Sequence, residues 1–100
     1  TVKKIEGMVA AVDHAYEAML ANLEAAHKGT LEEISNAYNA EDRINNLRNN
    51  LREAEIEELE SNRKNYHASV YYMDIVSELE KMGDFIINIS QTLEKSFVKK

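Results

Sequence analysis

The seven residues HKGTLEE, numbered 27 to 33, separate two long stretches of helical sequence and decide the fold. Lys28 places a cationic side chain in the last turn of a helix, and Gly29 supplies the residue after it, because glycine readily adopts the left-handed conformation in which many helices end. Thr30 and Glu33 form a capping-box pattern, which predicts that a second helix begins at about residue 31. A connection this short makes the two helices antiparallel neighbours.

On both sides of this boundary, apolar residues recur at intervals of three and four, which indicates helices with one apolar face. The first face comprises Ile5, Met8, Val9, Val12, Tyr16, Met19, Leu20 and Leu23. The second comprises Leu31, Ile34, Ala37 or Tyr38, Ile44, Leu47, Leu51 and Leu59, with Glu41 where an apolar residue is expected. After a polar break near residues 61–66, the third comprises Tyr72, Ile75, Val76, Leu79, Met82, Ile86, Ile89, Leu93 and Phe97.

The three periodic segments predict an all-α fold, an antiparallel up-down-up three-helix bundle forming a single domain over residues 1–100. The expected helices span about residues 2–28, 31–61 and 66–98. Because the helical pattern is already running at Val2, we expect the chain to be a fragment of a longer protein.

Composition excludes several classes of function. The formal net charge of −6 argues against a nucleic-acid surface, which needs clustered Lys and Arg. The chain has no cysteine, so it has neither a disulfide nor a thiolate metal site. No apolar run approaches the roughly 18 residues that span a bilayer, and no signal peptide is visible.

One row of polar side chains on the third helix stands out. Glu80, Asp84 and Asn88 follow each other one turn apart, and the mid-helix Gly83 beside them suggests close approach by another backbone or a bound group. Neither Glu80 nor Glu41 has a cation three or four residues away, so each needs a counter-charge from elsewhere. A bound cation or an arginine from another helix would supply it.

A purely structural interpretation of these acids stands beside the functional one. Asp84 has Lys81 three residues before it, and Arg48 or Arg52 could neutralise Glu41 or Glu80 across the bundle. Spacing alone does not decide between the two interpretations.

The segment SELEKMGDFIINIS, residues 77–90, resembles the signature of the third helix in the PhoU family, approximately L-E-R-[IM]-[GA]-D-x-x-x-N-I, with Lys81 replacing the usual arginine. Residues 41–45, EDRIN, resemble the family's [ED]-x-x-[IV]-D pattern on the second helix, with Asn45 in place of the second acid. The resemblance covers most of the chain and corresponds to one three-helix repeat, whereas family members usually carry two.

The resemblance implies control of phosphate uptake rather than catalysis, through a bundle whose acidic pairs hold multinuclear metal clusters. By position, the implied ligands of a divalent or ferric ion are Glu80 and Asp84, with Glu41 opposite and Asn45 a weaker contributor. Single-repeat regions of this kind resemble the cytoplasmic C-terminal part of bacterial sodium/phosphate cotransporters. The implied setting is therefore the cytoplasmic side of the inner membrane, with a membrane transporter portion in the same chain.

Two rival interpretations remain. Glu24 and His27 have the Glu-x-x-His spacing of di-iron bundles, but such sites need two of these motifs, while His14 and His67 lack matching partners and are expected at the surface. Without a phosphate loop or a nucleophile motif, enzyme activity is not expected. The other rival is a ligand-free helical oligomerisation module: a homo-oligomer in which two copies rebuild a six-helix arrangement. Its contact surface is expected to comprise Met73, Val76, Ile87, Tyr71 and Tyr72.

Overall fold

A computed structural model describes residues 2–60 and 66–98, and three helices account for nearly all of them. α1 spans Val2–Lys28, α2 spans Ser35–Glu60 and α3 spans Tyr66–Phe97, with no strand in the described ranges. The predicted all-α fold is therefore confirmed. Of the predicted break near residues 61–66, Tyr66 begins α3, whereas residues 61–65 lie outside what the structure describes, as do the side chains of Leu59 and His67.

The end of α1 follows from the glycine that the sequence places there. Gly29 has a φ of 74°, its N–H donates to the carbonyl of Ala26 (3.1 Å), and the N–H of Thr30 donates to the carbonyl of Ala25 (2.8 Å). This pair of bonds is a Schellman motif, which satisfies two carbonyls that the helix itself leaves free. The predicted end of the first helix is confirmed.

The predicted start of the second helix at residue 31 is wrong, because α2 begins four residues later. Thr30 donates its hydroxyl back to the carbonyl of Ala25 (3.3 Å), and Glu33 Oε2 accepts the N–H of Ser35 (2.7 Å), so the two residues form no capping box. The carbonyl of Ile34 accepts the first helical bond, from the N–H of Tyr38. Leu31 and Ile34 are buried in this irregular connection, since both reach the core at this end of the bundle.

The helix directions are evident from contacts between side chains far apart in sequence. Asn22 in α1 meets Asn36 in α2, while Tyr38 meets Glu94 and Arg48 meets Glu80 between α2 and α3. α2 therefore runs antiparallel to both α1 and α3, and α1 and α3 run parallel to each other, as the up-down-up prediction requires. The molecule measures 55 × 17 × 16 Å, which suits helices of about 40–48 Å packed side by side.

Two apolar clusters hold the bundle together. The larger draws residues from all three helices: Met8, Ala11, Val12, Ala15, Met19, Ala40, Ile44, Leu51, Val76, Leu79 and Ile86. The smaller surrounds the α1–α2 connection: Ala26, Leu31, Ile34, Ala37, Ile87 and Leu93. In the described ranges, no helix combines the length and the apolar character needed to cross a bilayer.

Candidate functional site

Glu80 is held by two arginines from the neighbouring helix. Arg48 and Arg52 lie one turn apart on α2, and their guanidinium groups contact the two carboxylate oxygens at 2.8 and 3.2 Å. The Glu80 side chain is only 24% exposed, so this pairing supplies the counter-charge that its own helix lacks. The structural interpretation that an α2 arginine neutralises Glu80 is confirmed.

Glu41 and Asp84 do not join Glu80 in a common site. Glu41 is half-buried and borders a small recess with Ala37, Ile44 and Gly83, whose volume of about 10 Å³ is at the lower limit for one water molecule. Asp84 is exposed and forms no ion pair with any described residue. The pairing of Asp84 with Lys81 that the structural interpretation allowed does not form, because Lys81 Nζ contacts Glu78 Oε1 at 3.2 Å.

The donor set does not fit the metal cluster that the resemblance implies. Within residues 2–60 and 66–98, no group of three or more Asp, Glu, His or Cys side chains converges on a point that a metal ion could occupy. The Glu80 carboxylate already contacts two arginine guanidinium groups. A metal ion at this position would be repelled by their positive charges and would have to displace both of them from the carboxylate. Asn45, half-buried on α2, adds no negative charge. The metal site on Glu41, Glu80 and Asp84 stays a prediction that this arrangement does not favour.

The Glu-x-x-His pair lies at the surface near the end of α1. Glu24 pairs with Lys28 at 3.0 Å, both side chains are more than 60% exposed, and His27 is exposed as well. A di-iron site needs its ligands projecting into the core of the bundle, so this pair does not form one. His14 is exposed, as predicted.

Gly83 provides the close approach that its position suggested. Its neighbour is a side chain and not a backbone: a Cβ added to Gly83 would lie 3.2 Å from Cδ1 of Ile44. The glycine therefore lets α3 pack tightly on α2, beside the helix turn that carries Glu80.

An apolar groove lies between α1 and α3, and the sequence did not predict it. We call it the α1–α3 groove and define it by its lining residues: Val2, Ile5, Glu6, Val9, Val12, Asp13, Tyr16, Tyr72, Ile75, Glu78, Leu79, Lys81, Met82, Phe85 and Ile86. The predicted association surface is wrong in part, since Val76 and Ile87 are buried in the core, although Tyr71 is exposed. The missed signal is the seven-residue spacing of Val2, Val9, Tyr16 and Leu23.

Comparison with known proteins adds one finding. The sequence profile of the family described as the PhoU domain matches residues 5–93 and so extends over all three helices. No curated protein and no solved structure matches the chain.

Proposed function

The chain belongs to the PhoU domain family, and on that premise we propose that it is the non-catalytic regulatory part of a sodium-dependent phosphate transporter on the cytoplasmic side of the inner membrane. Membership relates the chain to the regulation of phosphate transport rather than to catalysis. The link to a transporter portion goes further. It rests on the single repeat, which resembles the cytoplasmic C-terminal part of bacterial sodium/phosphate cotransporters.

The observation that carries the proposal is the extent of the family match. It begins at Ile5 in α1, includes the short α1–α2 connection and ends at Leu93 in α3. A match of this extent covers residues of all three helices and the connection between α1 and α2.

The geometry favours regulation through protein contact. The charge of Glu80 is already neutralised by Arg48 and Arg52, so the proposal does not depend on a bound metal. The α1–α3 groove, in contrast, offers apolar surface to a partner, as interaction sites commonly do. A domain that sets transporter activity needs such a surface.

The test measures phosphate uptake in cells that carry the parent protein at its own locus. Cells with and without residues 1–100 are moved from phosphate-poor to phosphate-rich medium, and uptake of radiolabelled phosphate is followed, with membrane fractions blotted for the transporter. We expect the deletion to leave uptake in poor medium intact and to abolish its decrease in rich medium. A normal decrease in the deletion strain would contradict the proposal.

The oligomerisation module remains the second candidate, and the exposed apolar residues of α1 are the observation that favours it. It predicts that the isolated domain forms a dimer through the α1–α3 groove. In the first candidate function a partner protein occupies the groove, and in the second another copy of this chain does. The charged residues at the margins of the groove help to distinguish these two occupants.

A further inference from the structure

The α1–α3 groove is continuous along much of the bundle. Its three adjoining stretches have volumes of about 300, 280 and 350 Å³; Val9 borders the first two, and Tyr16 and Met82 border the last two. It therefore extends from Val2 and Tyr72 at one end to Phe85 past the middle of the molecule.

The α1 side of the groove is a ridge with the spacing of a helix-packing seam. Val2, Val9 and Tyr16 line the groove and recur every seven residues, and Leu23 continues the same spacing beyond the groove; each of the four is about half exposed. Seven residues are close to two turns, so the four side chains align along the helix as in a coiled-coil seam. Single exposed hydrophobic residues are ordinary, but an aligned series marks a contact surface.

The α3 side completes the apolar floor and wall. Met82 is 54% exposed and Phe85 is 67% exposed, while Ile75 and Tyr72 are half-buried beside α1. Both sides of the groove therefore present apolar side chains to solvent.

The charged residues around the groove are mostly acidic. Glu6 and Asp13 line it from α1, and Glu17 follows Asp13 one turn later on the same helix, just outside the lining residues. None of these three carboxylates pairs with a cation among the described residues. On the α3 margin Lys81 is the cation, and its charge is already matched by Glu78.

From the apolar floor and the acidic margins together, we infer that the α1–α3 groove binds a cationic amphipathic α-helix of a partner protein. The apolar face of such a helix would fill the groove, and Lys or Arg at its edges would meet Glu6, Asp13 and Glu17. The α1 lining of the groove, from Val2 to Tyr16, corresponds to about 15 residues, or roughly 22 Å, of a partner helix. The inference goes beyond the proposed function and does not depend on it.

Two other occupants fit the charges less well. A second copy of this chain would bring its own acidic margin near this one, and like charges across an interface oppose association. An anionic membrane surface would be repelled by the same carboxylates and by the net charge of −6. A cationic helix gains from both features of the groove.

The test uses a designed probe, a labelled 21-residue peptide with Leu at the a and d positions of three heptads and Lys at the flanking positions. A matched peptide carries Glu in place of Lys. Binding is measured by fluorescence anisotropy at low and at physiological salt. The proteins are the wild type, Y16S/M82S in the floor, E6Q/D13N in the margin, and I56S/D42N as the matched control. Ile56 and Asp42 are exposed on α2, away from the groove.

We expect Y16S/M82S to weaken binding of the Lys peptide by tenfold or more and E6Q/D13N to weaken it by about threefold to tenfold, with the latter loss shrinking as salt is added. The control should stay within about twofold of the wild type, and the Glu peptide should bind at least tenfold more weakly. Circular dichroism verifies that each variant is folded.

Several outcomes would overturn the inference. The Lys peptide could fail to bind the wild type, or I56S/D42N could weaken it as much as Y16S/M82S does. Sedimentation could reveal a dimer at tens of micromolar that Y16S/M82S dissociates, which would assign the groove to a second copy. Binding of the wild type to vesicles of phosphatidylserine and phosphatidylcholine, lost in Y16S/M82S, would assign it to a membrane.

Discussion

At the scale of single residues, Gly83 illustrates how one missing side chain positions two helices. Glycine in mid-helix costs about 1 kcal/mol relative to alanine, and nothing in α3 itself requires it. The reason lies in α2, where Cδ1 of the buried Ile44 occupies the space next to an added Cβ.

Gly83→Ala therefore sets a gain in helix propensity against a close contact. We expect the two to cancel to within about 0.5 kcal/mol in the wild type. In an Ile44→Val background, which lacks Cδ1, the same substitution should stabilise by about 1 kcal/mol. Urea denaturation of the four proteins in this double-mutant cycle measures the coupling; an equal effect of Gly83→Ala in both backgrounds would show that Ile44 is not the obstacle.

Ser90 is a second residue with an unfavourable environment, because its polar hydroxyl is buried in the core. It is 0% exposed, and its hydroxyl has no hydrogen-bond partner in the described structure. A buried polar group without a partner is destabilising. We expect Ser90→Ala to raise the free energy of unfolding by about 1 kcal/mol. Ser77→Ala, in the same helix but only half-buried, is the control and should give a smaller gain. A loss of stability in Ser90→Ala would reveal an unrecognised partner.

Glu80 and Asp84 make the metal prediction testable at the same scale. Because Glu80 is paired and Asp84 is not, Glu80→Gln should cost about 0.5–1 kcal/mol and Asp84→Asn less than about 0.5 kcal/mol. After exposure to manganese, zinc or ferric ions and desalting, elemental analysis should find the same low metal content in the wild type and both variants. Stoichiometric metal in the wild type that either variant loses would restore the metal site.

At the scale of elements, a comparison of two glycines tests whether the left-handed backbone conformation of Gly29 stabilises the end of α1. An added Cβ would meet nothing within 4 Å at Gly7 or at Gly29, and the difference between them is the φ of 74° at Gly29. We expect Gly29→Ala to destabilise by about 1 kcal/mol because alanine is strained in the left-handed region. Gly7→Ala, inside α1, should stabilise by about 0.5–1 kcal/mol. Thermal melts compare them, and equal effects would indicate that the left-handed cap contributes nothing.

The helices themselves were predictable, because periodicity and the Gly29 cap are local signals. The start of α2 was not, since Thr30 and Glu33 fit a capping box equally well. What moved the start was tertiary: Leu31 and Ile34 both have to reach the core, and the chain satisfies this with an irregular turn.

The site was only partly predictable for a related reason. The apolar series in α1 covers two faces: Met8, Val12 and Met19 are buried, whereas Val9 and Tyr16 remain exposed. Periodicity indicates that a helix is amphipathic but not which part of a broad apolar face its own bundle covers. From the sequence, the counter-charge of Glu80 could be either a bound cation or an arginine of another helix. The sequence of each helix alone does not determine which residues of α2 lie opposite Glu80 in α3.

At the scale of the whole molecule, we expect no pair of helices to fold without the third. The larger core cluster takes residues from α1, α2 and α3, and each helix packs on both others. Removing α3 would expose Ile44 and Leu51 on one side, and a pair of helices cannot cover that surface. The stability of the bundle therefore comes from packing of three helices together, as expected where helix propensity alone is insufficient.

A fragment comprising residues 1–60 is accordingly expected to be largely unfolded, and adding a peptide of residues 61–100 should restore helicity. Circular dichroism of the mixture should exceed the sum of the separate spectra and should melt cooperatively. A peptide carrying Val76→Asp, which places a charge at a buried position, should fail to complement, whereas Asp74→Asn at an exposed position should succeed. If residues 1–60 alone unfold cooperatively, then α1 and α2 form a folding unit by themselves, and the shared core is not what couples the three helices.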